Sequence, residues 1–361
     1  MPVGVRCLSA WLLLASLAGA GEVRPITLGL VAPPSEADAR SLLRGVQLAV
    51  AEQNESGHGP VRLEVRSEDG QWGTAGNDAV VLVSERHVDA IVAPSDGAAT
   101  HLILQVSGRT QVPVASVCPD SSVTRAGVPW AVRVVPRTDQ AVAALLAAVR
   151  RPDGPPIHWW AVVPTGRPGR PVRHDLEVAA RLTGSKLERF VEAGGPKTDL
   201  NPLVHTIAAG APGGVLIWLP PPQAGSMAAA LRAAGYGGRL VGAAQLDSPE
   251  FVATAGAAAA GVLVAEFQMD AKRRAWADQF ARQFRQRYRV EPDFSAAAAY
   301  DAAQVLIETL RRAGDRPFAE ALATAAGPDI FHFDKAGNRM GTLQVLTCRQ
   351  GCFVPFSSTD L

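Results

Sequence analysis

The sequence predicts an α/β protein whose strands form parallel sheets covered by helices. Three observations lead there. Short, near-continuous apolar segments alternate with helical patterns, as expected of strands buried on both faces. The alternation ends near Pro136 and then begins again, giving two α/β units in sequence. After the second unit come two long helical patterns and a closing β segment.

The first strand is expected at 26–31, ended by Pro33 and Pro34. A helix over 40–53 places Leu42, Leu43, Val46 and Val50 on one face. A turn at 57–60 precedes a strand in which Val61, Leu63 and Val65 alternate with polar residues. Helix 78–86, strand 90–92, helix 98–106 and strand 112–116 complete the first unit. The second unit reads as helix 141–149, strand 157–163, helices 173–182 and 203–209, strand 215–219, helix 227–234 and strand 240–242. Trp159, Trp160 and Trp218 are assigned mainly to packing. Long helices follow over 271–288 and 295–312, the second capped by Asp293 or Ser295. A shorter helix is expected over 317–325, then a polar turn at 334–338 and a strand at 342–347 with 353–356 as hairpin partner.

The chain has 361 residues, 47% of them hydrophobic and 19% charged. That is enough apolar material for one large domain or two ordinary ones, and it argues against disorder and against a membrane bundle. Lys and Arg total 35 against 34 Asp and Glu. This balance, with 6% aromatics and no basic stripe, argues against nucleic acid as a partner.

Residues 1–21 read as a secretory leader. Arg6 supplies the positive start, 8–17 a short apolar stretch, and Ala18-Gly19-Ala20 a small-residue cleavage site. A buried N-terminal helix is the alternative. Cys7 has no lipobox before it. Export places the mature chain in the periplasm, an oxidising compartment. Cys348 and Cys352, separated by three residues including Gly351, are then expected to form a small-loop disulfide, with two free thiols as the alternative. Cys118 is the odd thiol.

Catalytic and cofactor motifs are missing. Residues 30–35 after the first strand hold no Gly-rich phosphate cradle, and the glycines at 235–238 follow a helix, where they read as cap and turn. No P-loop, nucleophile elbow or H-E-x-x-H is present, and the seven His are scattered. Glu68 and Asp69 are adjacent carboxylates best read as solvated or capping. No cofactor, metal or catalytic set is expected.

The order of features resembles the type I periplasmic solute-binding proteins, in the branched-chain amino-acid-binding-like group of ABC transporter receptors. Residues 26–30, Arg44 to Val50 with Asn54, and the acidic strand end at 65–70 are similar to that family's opening. Residues 88–95 and Val112-Pro113-Val114-Ala115-Ser116 are similar to the segments that lead into its two ligand loops, and 331–338 to its C-terminal turn. The resemblance implies a periplasmic binding protein type I fold, with two Rossmann-like lobes joined by a three-crossover hinge. Lobe 1 is expected at 22–138 and 267–328, lobe 2 at 139–266 and 329–361. The ligand would lie between them, at the strand C-terminal ends.

Carried over residue by residue, the resemblance places Ser95, Asp96 and Gly97 in the first ligand loop. There the Ser95 hydroxyl and the free amides at the helix start suit an anion. Ordinary capping by Ser95 or Asp96 is the alternative. Cys118, Pro119 and Asp120 fall in the second loop, where amino-acid-binding relatives carry small residues and a Thr. Pro221 stands near an aromatic or polar contact of the family, and Gln245 near an acid that meets the ligand ammonium. Tyr300 matches a position facing the hinge, with a core Tyr as the alternative. These departures leave a carboxylate site without a convincing ammonium site, so a rather apolar small ligand is expected. The resemblance implies capture and delivery to an inner-membrane ABC permease. A periplasmic sensor, a carrier of hopanoid- or sterol-like lipid, and a standard amino-acid receptor are the alternatives. An enzyme is not expected.

Overall fold

The computed structural model describes residues 24–67, 73–150, 154–314, 316–323 and 331–357. The expected leader at 1–21 and the carboxylates Glu68 and Asp69 lie outside the described residues. The first lobe begins β1 (Ile26–Ala32), α1 (Glu36–Glu55), β2 (Val61–Ser67), α2 (Thr74–Ser84), β3 (Ala90–Ala93), α3 (Gly97–Thr110), β4 (Val114–Ser116) and β5 (Ala131–Arg133). Its sheet runs β2-β1-β3-β4-β5, every pair parallel. The second lobe holds α4 (Thr138–Ala148), β6 (His158–Pro164), α5 (Gly169–Thr183), β7 (Lys186–Ala193), α6 (Asn201–Gly210), β8 (Gly214–Ile217), α7 (Pro221–Ala233), β9 (Arg239–Gly242), α8 (Pro249–Ala255) and β10 (Leu263–Phe267). The chain then returns to the first lobe as α9 (Ala271–Tyr288), α10 (Phe294–Ala313) and α11 (Phe318–Ala323). It ends in the second as β11 (Leu343–Arg349) and β12 (Cys352–Pro355). The second sheet runs β12-β11-β10-β9-β8-β6-β7, parallel except for the antiparallel β11 and β12.

The two-lobed α/β fold matches the expectation. Each sheet is covered on both faces, which is why its central strands read as unbroken apolar runs. In the first lobe, α1 and α10 bury one face with Leu42, Val46, Leu306 and Ile307, while α2 and α3 bury the other with Ala79, Leu82 and Ile103. The alanine-rich start of α10 has a packing cause. A Cβ at Gly45 of α1 would fall 2.1 Å from the Ala296 carbonyl oxygen, so the two helices approach with glycine on one side and alanines on the other. Three strands were not expected from the sequence. β5 is only three residues long and contains Arg133, β7 is an edge strand carrying Lys186, Glu188, Arg189 and Glu192, and β10 lies between β9 and β11 in the second sheet with Glu266 in its run.

The chain crosses between the lobes after β5, after β10 and before β11. The crossings lie side by side: the Arg339 amide donates to Arg133 O at 2.9 Å, and the Gln268 amide to Thr342 O at 2.8 Å. A charged node joins them. Arg273 donates both guanidinium nitrogens to the Asp301 carboxylate, one at 3.0 Å, and Arg339 lies 3.6 Å from the same carboxylate. The Arg339 guanidinium also lies over the rings of Phe267 (4.4 Å) and Phe331 (4.7 Å), so aromatic faces cover what the carboxylate does not. Burial pushes the Arg339 pKa down to about 10, with Asp301 opposing the fall.

Cys348 and Cys352 correct an expectation. Gln350 and Gly351 both have positive φ, 52° and 79°, and form a two-residue hairpin turn. In that register Cys348 pairs with Phe353 and Arg349 with Cys352. Paired residues share a face and neighbours along a strand alternate, so the two cysteines point to opposite sides of the hairpin. Cys348 is buried in the second-lobe core, Cys352 is exposed, and both are free.

Two outcomes follow. Asp301→Ala strands two buried guanidinium groups and should cost about 3 kcal/mol in urea unfolding; a loss under about 1 kcal/mol would show that the node adds little. A thiol reagent should label Cys352 in the native protein, and Cys118 and Cys348 only after unfolding. One free thiol in the unfolded, unreduced protein in place of three would restore the disulfide.

Candidate ligand-binding cleft

The C-terminal ends of the first-lobe strands carry two loops. In the first, Asp96 caps α3, its Oδ1 accepting the Ala99 amide at 2.7 Å, while the Ser95 hydroxyl donates to Asp38 Oδ2 at 2.9 Å. Of the two readings for this loop, the structure shows capping by Asp96. In the second loop, Asp120 leans onto the first: a Cβ at Gly97 would lie 2.5 Å from Asp120 Oδ2. Its other oxygen accepts the Ser122 amide (2.8 Å) and hydroxyl (2.7 Å). Gly97 is therefore needed for the approach of the loops.

Arg133 holds the second loop from behind. Its side chain is fully buried and donates to Asp120 O at 2.5 Å, Cys118 O at 3.4 Å and Thr124 Oγ1 at 2.8 Å. Across the cleft, Asp175 of α5 accepts the Ser121 amide at 3.0 Å and the Ser121 hydroxyl. Arg125 donates to that hydroxyl at 2.7 Å. Burial raises the Asp175 pKa, and the two Ser121 donors oppose the rise. This contact ties lobe to lobe.

Between the lobes lies a narrow cavity of about 10 Å³, room for about one water. Its walls are mainly apolar: Pro119, Val135, Pro136 and Phe294 come from the first lobe and its crossing, Trp218 and Ala265 from the second. A larger cavity of about 160 Å³, between Pro212 and Gly238, lies at the opposite ends of β8 and β9 and is lined largely by Ala and Gly.

Of the expected contacts, Pro119 and Gln245 line the cleft cavity. Three others are placed elsewhere. Cys118 is fully buried with the α2–α3 core, which pushes its thiol pKa up to about 12. Tyr300 packs on Phe280 and Trp276 in the first-lobe core and donates its hydroxyl to Glu52, so it is the core Tyr of the two readings. Pro221 opens α7, where the missing amide costs nothing. The sequence reading overlooked Asp38, Asp175 and Phe294, and it assigned Trp218, which lines the cavity, mainly to packing.

The model for the family described as "Periplasmic binding protein" matches residues 25–342. The chain belongs to that family. Its fold is shared with a leucine-binding protein of Thermotoga maritima, at TM-score 0.79 and 20% identity over 93% of this chain and all of the other. It is shared too with a branched-chain amino acid transporter substrate-binding protein of Streptococcus pneumoniae in complex with isoleucine (TM-score 0.78, 18% identity, 91% and 98% covered). A third is an R. palustris ABC-transporter solute-binding protein in complex with benzoate (TM-score 0.78, 18% identity, 92% and 95% covered). A search of curated protein sequences gave no match. As a periplasmic binding protein the chain binds a small solute between its lobes for transport and is not a catalyst. Among the described residues no helix is long and apolar enough to cross a membrane, and no group of three His, Cys, Asp or Glu side chains is placed to hold a metal ion.

One end of this binding protein's lobe boundary is acidic. The Phe294 amide at the start of α10 donates to Asp247 O at 3.1 Å across the boundary. Beside it, Asp293 caps α10 and accepts the Ser41 hydroxyl at 2.6 Å. Burial pushes the Asp247 carboxyl up to about 6, and the charge on Asp293 adds to the rise. Burial also raises Asp38, against the hydroxyls of Ser295 and Ser95, with Asp293 again adding. Glu266 stands well above the usual carboxylate range through burial and then Asp247, with Arg273 opposing.

Arg133→Met removes the donor from two carbonyls and a hydroxyl. It should cost about 2 kcal/mol of stability and speed amide exchange across 118–124. Unchanged exchange there would show that the loop holds itself.

Proposed function

We propose that this periplasmic binding protein captures a small organic solute with a largely apolar body and passes it to an inner-membrane ABC permease, after export through the leader at 1–21. The observation that carries the reading is the wall of the inter-lobe cavity, where Trp218, Phe294, Val135, Ala265 and three further alanines replace the dense polar lining that a zwitterion requires. The solute would part the lobes by more than the present gap. Closure would then be stabilised by contacts that only the closed form makes to both lobes.

The direct test is mass spectrometry of small molecules that co-purify with the mature protein, followed by calorimetry with the compound found. Phe294 is partly buried and its ring borders the cavity. Phe294→Ala should weaken binding about tenfold, which is about 1.4 kcal/mol, with a smaller effect on thermal stability. Unchanged affinity in this variant, or tight selective binding of leucine or valine, would sink the apolar-body reading.

A further inference from the structure

The acidic end of the boundary is not explained by packing. Four acidic residues from four segments lie along it: Asp38 of α1 and Asp293 at the start of α10 in the first lobe, and Asp247 after β9 and Glu266 of β10 in the second, with Asp247 held beside the start of α10 by the Phe294 amide. Each is within electrostatic reach of the next, Asp38 of Asp293, Asp293 of Asp247, and Asp247 of Glu266. The cation in reach of Glu266 is Arg273, which is already committed to Asp301 through both terminal nitrogens. Ser41, Ser95 and Ser295 give hydroxyls to the first-lobe pair, and the remaining titratable neighbour is the Cys348 thiol near Asp247.

A second observation is independent of the clustering. Glu266 Oε1 is fully buried and has no hydrogen-bond partner. A buried carboxylate oxygen without a donor is expensive and calls for a reason. A third concerns the other polar end of the cleft. The start of α3 would suit an anionic group, but the Asp120 carboxylate of the chain itself leans against Gly97 there. The cleft therefore offers negative charge at both ends.

We propose that the solute is an organic cation, its ammonium group drawn to Asp247 and Glu266, with Asp293 and Asp38 further along the same boundary, and its apolar body against Trp218 and Phe294. This rests on the capture reading above. The ammonium carries the donors that Glu266 lacks, and it turns mutual repulsion between the two lobes into a shared attraction. The aromatic rings beside the acids suit the same charge.

The test uses three probes of one shape: 2-phenylethylammonium, 2-phenylethanol and phenylacetate. Calorimetry on the full mature chain should show the ammonium binding at least tenfold tighter than the alcohol, and the acid weakest. Asp247→Asn and Glu266→Gln should each erase most of that preference. They should also leave the melting temperature unchanged or raised, because Asp247→Asn removes a repelled charge and Glu266→Gln replaces a buried acid that lacks a partner, whereas a purely structural acid would lower it when replaced. Alcohol or acid binding as tightly as the ammonium overturns the cation and leaves the capture reading standing, provided Phe294→Ala weakens that probe. Binding by none of the three overturns both.

Discussion

The two lobes are one molecule because the Arg273–Asp301–Arg339 node fastens the three crossings to one another. Asp301 projects from α10, which packs on the first sheet; Arg273 begins the helix that follows β10; Arg339 lies on the last crossing. A single carboxylate therefore fixes where α9, α10 and the final crossing meet. Such a node does not stabilise by charge alone, since taking three ionised groups out of water is costly. It stabilises here because the bidentate contact from Arg273 and the stacked rings of Phe267 and Phe331 leave little of either guanidinium unsatisfied. Its value is directional, for it holds the crossing segments side by side while leaving the cleft ends of the lobes free to take their own contacts.

Everything at the cleft is built outward from that anchor. Arg133 ends β5 immediately before the first crossing, and its side chain reaches back to hold the second loop by its carbonyls. Thr124, which it also holds, bonds to Asn338 beside the last crossing at 2.8 Å. The loop that meets the second lobe at Asp175 is thus tied to the hinge by two short steps. A displacement at the hinge is felt at Ser121, and the reverse holds equally.

The fold is legible in the sequence because strands buried on both faces are continuous apolar runs, and most strands here are buried so. β7 escapes that reading since an edge strand keeps charge, β5 since three residues with an arginine carry no pattern, and β10 since Glu266 interrupts its short apolar run. The cleft is less legible. Ser95, Asp96, Gly97 and Asp120 are found by position along the chain, but whether they face a solute or one another depends on the approach of two loops 25 residues apart. Cys118 and Tyr300 sit at plausible positions and turn inward because a core lies one residue away. Cys348 and Cys352 are close in number, yet the odd residue count places them on opposite faces once the turn takes two residues. Asp38, Asp247, Asp293 and Glu266 carry no local signal at all, being ordinary caps and strand ends until the topology gathers them.

That gathering makes closure uneven along the boundary. At Ser121 and Asp175 a carboxylate meets two donors, so the lobes attract there without help. At Asp247 and Asp293 two like charges come within electrostatic reach, joined there by the backbone bond from Phe294. Bringing the lobes together satisfies one end and loads the other with repulsion between Asp247 and Asp293. A two-state hinge is shifted only by what binds its states differently. A solute that carries positive charge to the loaded end removes a penalty present only when the lobes meet, and so it favours the closed form beyond what its apolar contacts supply.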